Sequence, residues 1–173
     1  MAGIAGIVNT HKKIDLECEN VQKMINSISH RGQGSQKVKN GGYAILGAVD
    51  KATDNRDKQN PVSYNVDGND ITVCFDGIIY NSDEIASKLK LSSLRSESIN
   101  DDELVLMAYL KWGAGCVHYL NGIFAFAVWN KNDNELFMAR DRFGIKPLYY
   151  TICSDYLIFA SEIKGVLAHP FVK

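Results

Sequence analysis

Apolar and polar positions change period along this chain, and each change marks an element. The first run, Met1-Ala-Gly-Ile-Ala-Gly-Ile-Val8, is small, apolar and glycine-rich. Ile4, Ile7 and Val8 suit a buried strand, while Gly3 and Gly6 admit close approach of other backbone. A chain end frays unless something holds it. The run therefore predicts a first strand that carries the amino end into the fold, an unusual placement that hints at function. Val21, Met24, Ile25 and Ile28 then fall at i, i+3, i+4 and i+7, one face of an amphipathic helix. His30-Arg31-Gly32-Gln33 ends that helix, with Gly32 as an expected left-handed cap. A polar, glycine-rich stretch runs on to Gly42.

Tyr43 to Val49 reads as a buried strand, and Asp50 to Asn60 as a polar surface loop. Ile71 to Tyr80 is strand-like but contains Asp76-Gly77; a turn pair inside an apolar run predicts a bulge or tight bend. Asn81-Ser82 is expected to cap a short helix over 83–90. Leu91 to Ile99 is serine-rich and loop-like. Asn100 precedes a second helix, with Asp101, Asp102 and Glu103 in its first turn, where acids suit the dipole. Leu104, Met107 and Ala108 supply its buried face, Trp112-Gly113 ends it, and a short helix is expected over 115–119. The last third predicts strands over 123–129, 135–140, 148–152 and 157–160, joined by turns as an antiparallel meander, then one helical turn over 161–167. Strands early and late with helices between make one α+β domain over 1–173, with enough strand for two sheets under helical cover.

Composition narrows the function. An apolar share of 46% and a charged share of 23% are ordinary for a soluble protein. Nineteen basic and twenty acidic side chains give a net charge of −1, which predicts neither a nucleic-acid partner nor an anionic membrane. No apolar run is long enough to span a bilayer, and no basic residues precede the first run as in a signal peptide; the expected location is cytoplasmic. Cys18, Cys74, Cys116 and Cys153 form no CxxC pair, so neither a metal site nor a disulfide is expected. Glycines 32, 34, 41 and 42 make no phosphate loop, since no GK[ST] follows a strand.

The order of the pieces resembles a known family. The opening resembles the MCGIAGI start of class II glutamine amidotransferase domains, specifically those of asparagine synthetase. His30-Arg31-Gly32 resembles the family's HRG turn, Phe75-Asp76-Gly77-Ile78-Ile79-Tyr80-Asn81 its NGEIYN element, and Asp101-Asp102-Glu103 its S-D-x-E helix start. Leu120-Asn121-Gly122-Ile123-Phe124-Ala125-Phe126-Ala127 is similar to its L-x-G-x-FAFA strand. Arg140 to Tyr150 (RDRFGIKPLYY) resembles its RDxxGxxPLYY run, and Ala160-Ser161-Glu162-Ile163-Lys164 its ASE-x-K ending. Seven matches in order cover essentially the whole chain. The resemblance implies a four-layer αββα sandwich of two mainly antiparallel sheets, of the N-terminal nucleophile hydrolase type. It also implies a synthetase domain normally following, as a partner in cis or in trans. That domain is absent from these 173 residues. ATP and Mg are expected only there, with no cofactor in this domain; a homo-oligomer stays open.

The family hydrolyses glutamine's side-chain amide with a cysteine exposed when Met1 is removed, its α-amine acting as base. Here that position is Ala2, whose methyl cannot attack a carbonyl. Asp76 stands where the family has the asparagine whose amide donates to the oxyanion; an aspartate carboxylate only accepts and would repel developing negative charge. Losing such a donor costs about 2.7–4 kcal/mol. Gly77 keeps the backbone N–H. Ile78 replaces the glutamate that helps hold the substrate's amine. Asp50 falls where an arginine grips the substrate's carboxylate. Asp101 alone keeps an amine-binding carboxylate, and serves equally well as a first-turn helix acid.

Arg140 to Tyr150 is expected to be structural, with Arg140 paired to Asp141; substrate contact and, by the resemblance, a face toward the partner domain are the alternatives. His30 is expected to be a turn residue, while His11, His118 and His169 show no partner pattern. Trp112 and Trp129 read as core or interface anchors. Three functions remain open at this stage. The first is a domain that has lost glutaminase activity and acts as a structural or docking module for an ATP-dependent amide-forming synthetase. The second is a working glutaminase of asparagine biosynthesis silenced by an engineered cysteine-to-alanine change at position 2. The third is a module binding a cationic amine between Asp50, Asp76 and Asp101.

Overall fold

A computed structural model describes residues 2–50, 60–91 and 99–173. The strands are β1 (Gly3–Val8), β2 (Gln36–Asn40), β3 (Ala44–Val49), β4 (Val62–Val66), β5 (Asn69–Ile79), β6 (Gly122–Asn130), β7 (Glu135–Arg140), β8 (Tyr149–Cys153) and β9 (Tyr156–Ala160). The helices are α1 (Cys18–Ser27), α2 (Ser82–Lys88), α3 (Asp101–Trp112) and α4 (Ile163–Leu167). Two antiparallel sheets, ordered β2-β3-β1-β9-β8 and β4-β5-β6-β7, lie face to face.

Alternation along each strand explains the layering. Ile4 and Val8 of β1 join Ala44, Leu46 and Ala48 of β3 and Phe159 of β9 in a core between the sheets, against Cys74, Ala125, Ala127 and Trp129. The opposite-facing Ala5, Ile7, Ile45 and Val49 pack under Val21, Met24 and Ile25 of α1 and Val166 of α4. On the other side, Val73, Phe75, Phe124 and Phe126 pack under Leu104, Val105 and Ala108 of α3 and Ile85 of α2. The result is the expected αββα sandwich.

Several expectations need correction. β2 and β4 were not foreseen: β2 is a polar edge strand with little alternation, while in β4 Val62, Tyr64 and Val66 do alternate with the exposed Ser63 and Asn65. The last four strands are not one meander, because β6 and β7 pair in one sheet while β8 and β9 pair in the other. Asp76-Gly77 forms no bulge; β5 runs unbroken from Asn69 to Ile79 in continuous register with β6. Gly32 is extended, at φ −151° and ψ 139°, rather than left-handed. It must be glycine because a Cβ there would strike the carbonyl of Asp50. The loop expected between Asp50 and Asn60 has both ends inside the protein, while 51–59 lie outside the described residues, as do 92–98 of the serine-rich stretch. No described helix is long and apolar enough to cross a membrane.

Candidate functional site

The amino end is held at one end of the sandwich by three segments distant in sequence. Ala2 donates its N–H to Asp76 Oδ1 at 3.2 Å, and its carbonyl accepts from Arg31 Nε at 3.0 Å. Two residues on, Ile4 N–H donates to Ser161 Oγ at 2.9 Å, and Ser161 N–H donates to the Ile4 carbonyl at 2.8 Å. The HRG turn and the ASE-x-K ending are therefore the clamps that place residue 2 against β5.

Asp76 is 1% exposed. Besides Ala2, it meets Arg31 Nη2 at 3.0 Å on Oδ2 and Lys146 Nζ at 2.7 Å on Oδ1. Both cations are themselves buried, with 8% and 9% of their side chains exposed. Arg31 also reaches Glu162 at 3.1 Å, and His30 meets the same carboxylate oxygen at 2.9 Å. Burial alone would raise the Glu162 carboxyl, but Arg31 and His30 hold it below its usual range. The expectation of a bare, repelling carboxylate at position 76 is thus corrected: its charge is neutralised by two cations. Among the described residues, the hydrogen bonds made to it come from donors, so it acts as an acceptor.

The register of β5 on β6 fixes where the next residue points. Gly77 sits opposite Phe124. The Phe124 N–H donates to Asp141 Oδ2 at 3.3 Å, and its carbonyl accepts from the Asp141 N–H at 2.8 Å. Phe124 therefore turns its backbone away from β5, and Gly77 turns its N–H away from β6. Its neighbours on that edge are occupied. Phe75 N–H donates to Asn60 Oδ1 at 3.2 Å, and Ile79 N–H to Asp101 Oδ2 at 3.3 Å. The Gly77 N–H is left between them, and a Cβ at Gly77 would collide with the Ile123 carbonyl and the Phe124 backbone.

The other expected residues gather around this strand. Asp50 is buried and accepts from Asn60 Nδ2 at 3.2 Å, while the same amide donates to the Phe75 carbonyl at 2.7 Å. Asp101 opens α3 and touches β5 at Ile79. Ile78, on the same face as Asp76, is 53% exposed at the mouth. Ala2 and Asp76 are in direct contact; Asp50 and Asp101 join through the β5 backbone on either side of Gly77. Among the described residues no cluster of three His, Cys, Asp or Glu side chains is placed to hold a metal.

Two of the four cysteines are buried. Cys74 lies on the same face of β5 as Asp76, two residues away, but it is wholly buried and its thiol is pushed up to about 12. Burial likewise pushes Cys116 up to about 11. Thiols so displaced are inert. Cys18 opens α1 and Cys153 ends β8.

Lys146 and Arg31 were missed as site residues, although both sit inside quoted motifs. For Lys146 the available signal was a cation flanked by Ile145 and Pro147 in a tight turn. The expected Arg140–Asp141 pair is also replaced by other contacts. Asp141 accepts from the backbone N–H groups of Phe124, Phe143, Ile145 and Lys146 at 2.9–3.3 Å. Burial would raise its carboxyl, but these four donors hold it below the usual carboxylate range. Asp141 thereby shapes the turn that delivers Lys146 to Asp76.

A family model for the glutamine amidotransferase domain matches residues 1–173. Asparagine synthetase (glutamine-hydrolyzing) 3 of Bacillus subtilis is 36% identical over 174 residues, covering 100% of this chain and 28% of that protein. A putative asparagine synthetase (glutamine-hydrolyzing) 2 of Methanocaldococcus jannaschii is 36% identical over 188 residues, covering 97% of this chain and 35% of that protein. The chain thus spans about a third or less of the curated relatives it matches. Among solved structures, glutamine phosphoribosylpyrophosphate amidotransferase from B. subtilis shares the fold with a TM-score of 0.76 at 18% identity, over 94% of this chain and 42% of that one. Matched along its whole length, the chain belongs to the glutamine amidotransferase domains, of the kind found in asparagine synthetases.

Proposed function

We propose that this is an asparagine-synthetase-like amidotransferase domain that does not hydrolyse glutamine. It acts instead as a structural or docking module for an ATP-dependent, amide-forming synthetase domain, fused or supplied in trans, which would bind ATP and Mg. The observation that carries the reading is Asp76: it accepts from Ala2, Arg31 and Lys146 where hydrolysis asks for a side-chain donor to the oxyanion. A methyl at Ala2 and an apolar Ile78 agree with it. The relatives' greater length supports a partner domain. So do the exposed Phe143 and Ile145 on the turn that carries Lys146, since contiguous apolar exposure marks interaction surfaces.

The test is glutamine binding to the chain as it stands, by calorimetry, because binding does not need the nucleophile. The reading expects no heat at millimolar glutamine. Saturable binding would overturn it and favour the second reading, a glutaminase silenced at position 2 alone, which the outward Gly77 N–H supports. The amine-receptor reading loses its main support, because the charge of Asp76 is already matched by Arg31 and Lys146.

A further inference from the structure

Arg31, Lys146 and the Ala2 N–H converge on the carboxylate of Asp76. A carboxylate with two buried cations and a backbone donor around it has the donor set of an anion site. The cations come from two separate turns, the HRG turn after α1 and the turn between β7 and β8. Neither turn is on β5, so the seat is assembled by the fold and then occupied by a side chain of the neighbouring strand. Glu162 shares only Arg31, at 3.1 Å, and leaves Lys146 dependent on Asp76.

We infer that Asp76 is a built-in anion filling a latent two-cation seat, and that the seat takes a small exogenous carboxylate once this side chain is removed. The seat ties β1, β5 and the Lys146 turn together. The inference rests on the reading of position 76 given under Proposed function. The two fail separately: glutamine turnover would end that reading whatever anions do, and an unresponsive seat would end this one without restoring hydrolysis.

The experiment is thermal melting of Asp76→Ala with sodium formate as the probe, against equal concentrations of sodium chloride. The variant is expected to melt lower than the parent. At 100 mM formate, with a dissociation constant on the order of 10 mM, the folded-to-unfolded ratio should rise about tenfold over chloride. The parent should show no difference between the salts. Adding Lys146→Met to Asp76→Ala should abolish the formate response. Equal melting in formate and chloride, or the same formate shift in the parent, overturns the inference. If Asp76→Ala does not fold, Asp76→Asn and Lys146→Met are compared singly and together. The seat predicts that the double variant is more stable than the sum of the two losses; simple additivity overturns it.

Discussion

The N–H of Ala2 donates to Oδ1 of Asp76 at 3.2 Å, across 74 residues of chain. This contact turns the residue where a nucleophile is expected toward an acceptor where a donor is expected. The architecture brings these two positions together.

The ion cluster behind that contact is predicted to be worth more to the fold than any exposed pair. Arg31, Lys146 and Asp76 are all buried, and removing one partner of a buried pair leaves a charge without compensation. Lys146→Met or Arg31→Gln should each lower stability by about 3–5 kcal/mol in urea unfolding. Lys88→Met, which breaks an exposed pair with Glu84, should change it far less. Equal effects from the buried and exposed substitutions would count against this weighting.

Gly77→Ala is predicted to cost about 1–3 kcal/mol. The added Cβ meets backbone of β6, at Ile123 and Phe124, rather than the end of a movable side chain. Chemical denaturation gives the number, and an unchanged midpoint would show that β5 and β6 can part there.

Asp141 contributes stability with a definite pH signature. Its carboxyl lies below the usual range in the folded state because four backbone N–H groups donate to it against the opposing effect of burial. A depressed carboxyl stabilises above its unfolded pKa of about 3.9 and loses that contribution as pH falls through the folded value. Asp141→Ala should cost on the order of 3 kcal/mol at pH 7, and the difference from the parent should shrink below about pH 4. A constant difference down to pH 2 would mean that the contacts do not depend on the charge.

His169 acts at the other end of the scale. It is wholly buried, 3.4 Å from Glu17, and burial lowers its pKa despite the pull of that carboxylate. Above about pH 6.5 both folded and unfolded chains carry it neutral. Below that, the unfolded chain takes up the proton first, so stability falls as pH drops toward the folded pKa. His169→Gln should melt lower at pH 7 and flatten the slope between pH 7 and 5. A parent melting temperature that is flat over this interval would contradict the assignment.

Much of the fold was legible because periodicity and burial agree. Ile4 and Val8 on one face of β1, with Ala5 and Ile7 on the other, announce a strand buried on both sides. β2 escaped because an edge strand such as Gln36–Asn40 satisfies its polar side chains in solvent, whereas in β4 the alternation of Val62, Tyr64 and Val66 was legible and passed over. In the site, position mattered more than pattern. Asp76, Gly77 and Ala2 were readable from their place in the motifs, whereas the partners of Asp76 were not. Lys146 lies 70 residues away and Arg31 lies 45 away, and only the packing of two turns onto one strand reveals that their charges meet. For the same reason Asp76 read as a repelling group.

The docking role makes a separate prediction. Phe143 is 90% exposed, so Phe143→Ser together with Ile145→Ser should leave the melting temperature of this chain within about 2 °C of the parent, a surface-sized effect. Association with an ATP-using synthetase domain, fused or separate, should weaken at least tenfold in sedimentation. Unchanged association would place the contact elsewhere.

The central claim is most directly tested by restoring the thiol. Ala2→Cys, with Met1 removal verified by mass, is assayed for ammonia release from glutamine. Release is expected at least about a hundredfold below 1 s⁻¹, because position 76 still accepts where the reaction needs a donor. Turnover on the order of 1 s⁻¹ or more, in the range of ordinary enzymes, would contradict it and show that a single methyl group is all that silences the domain.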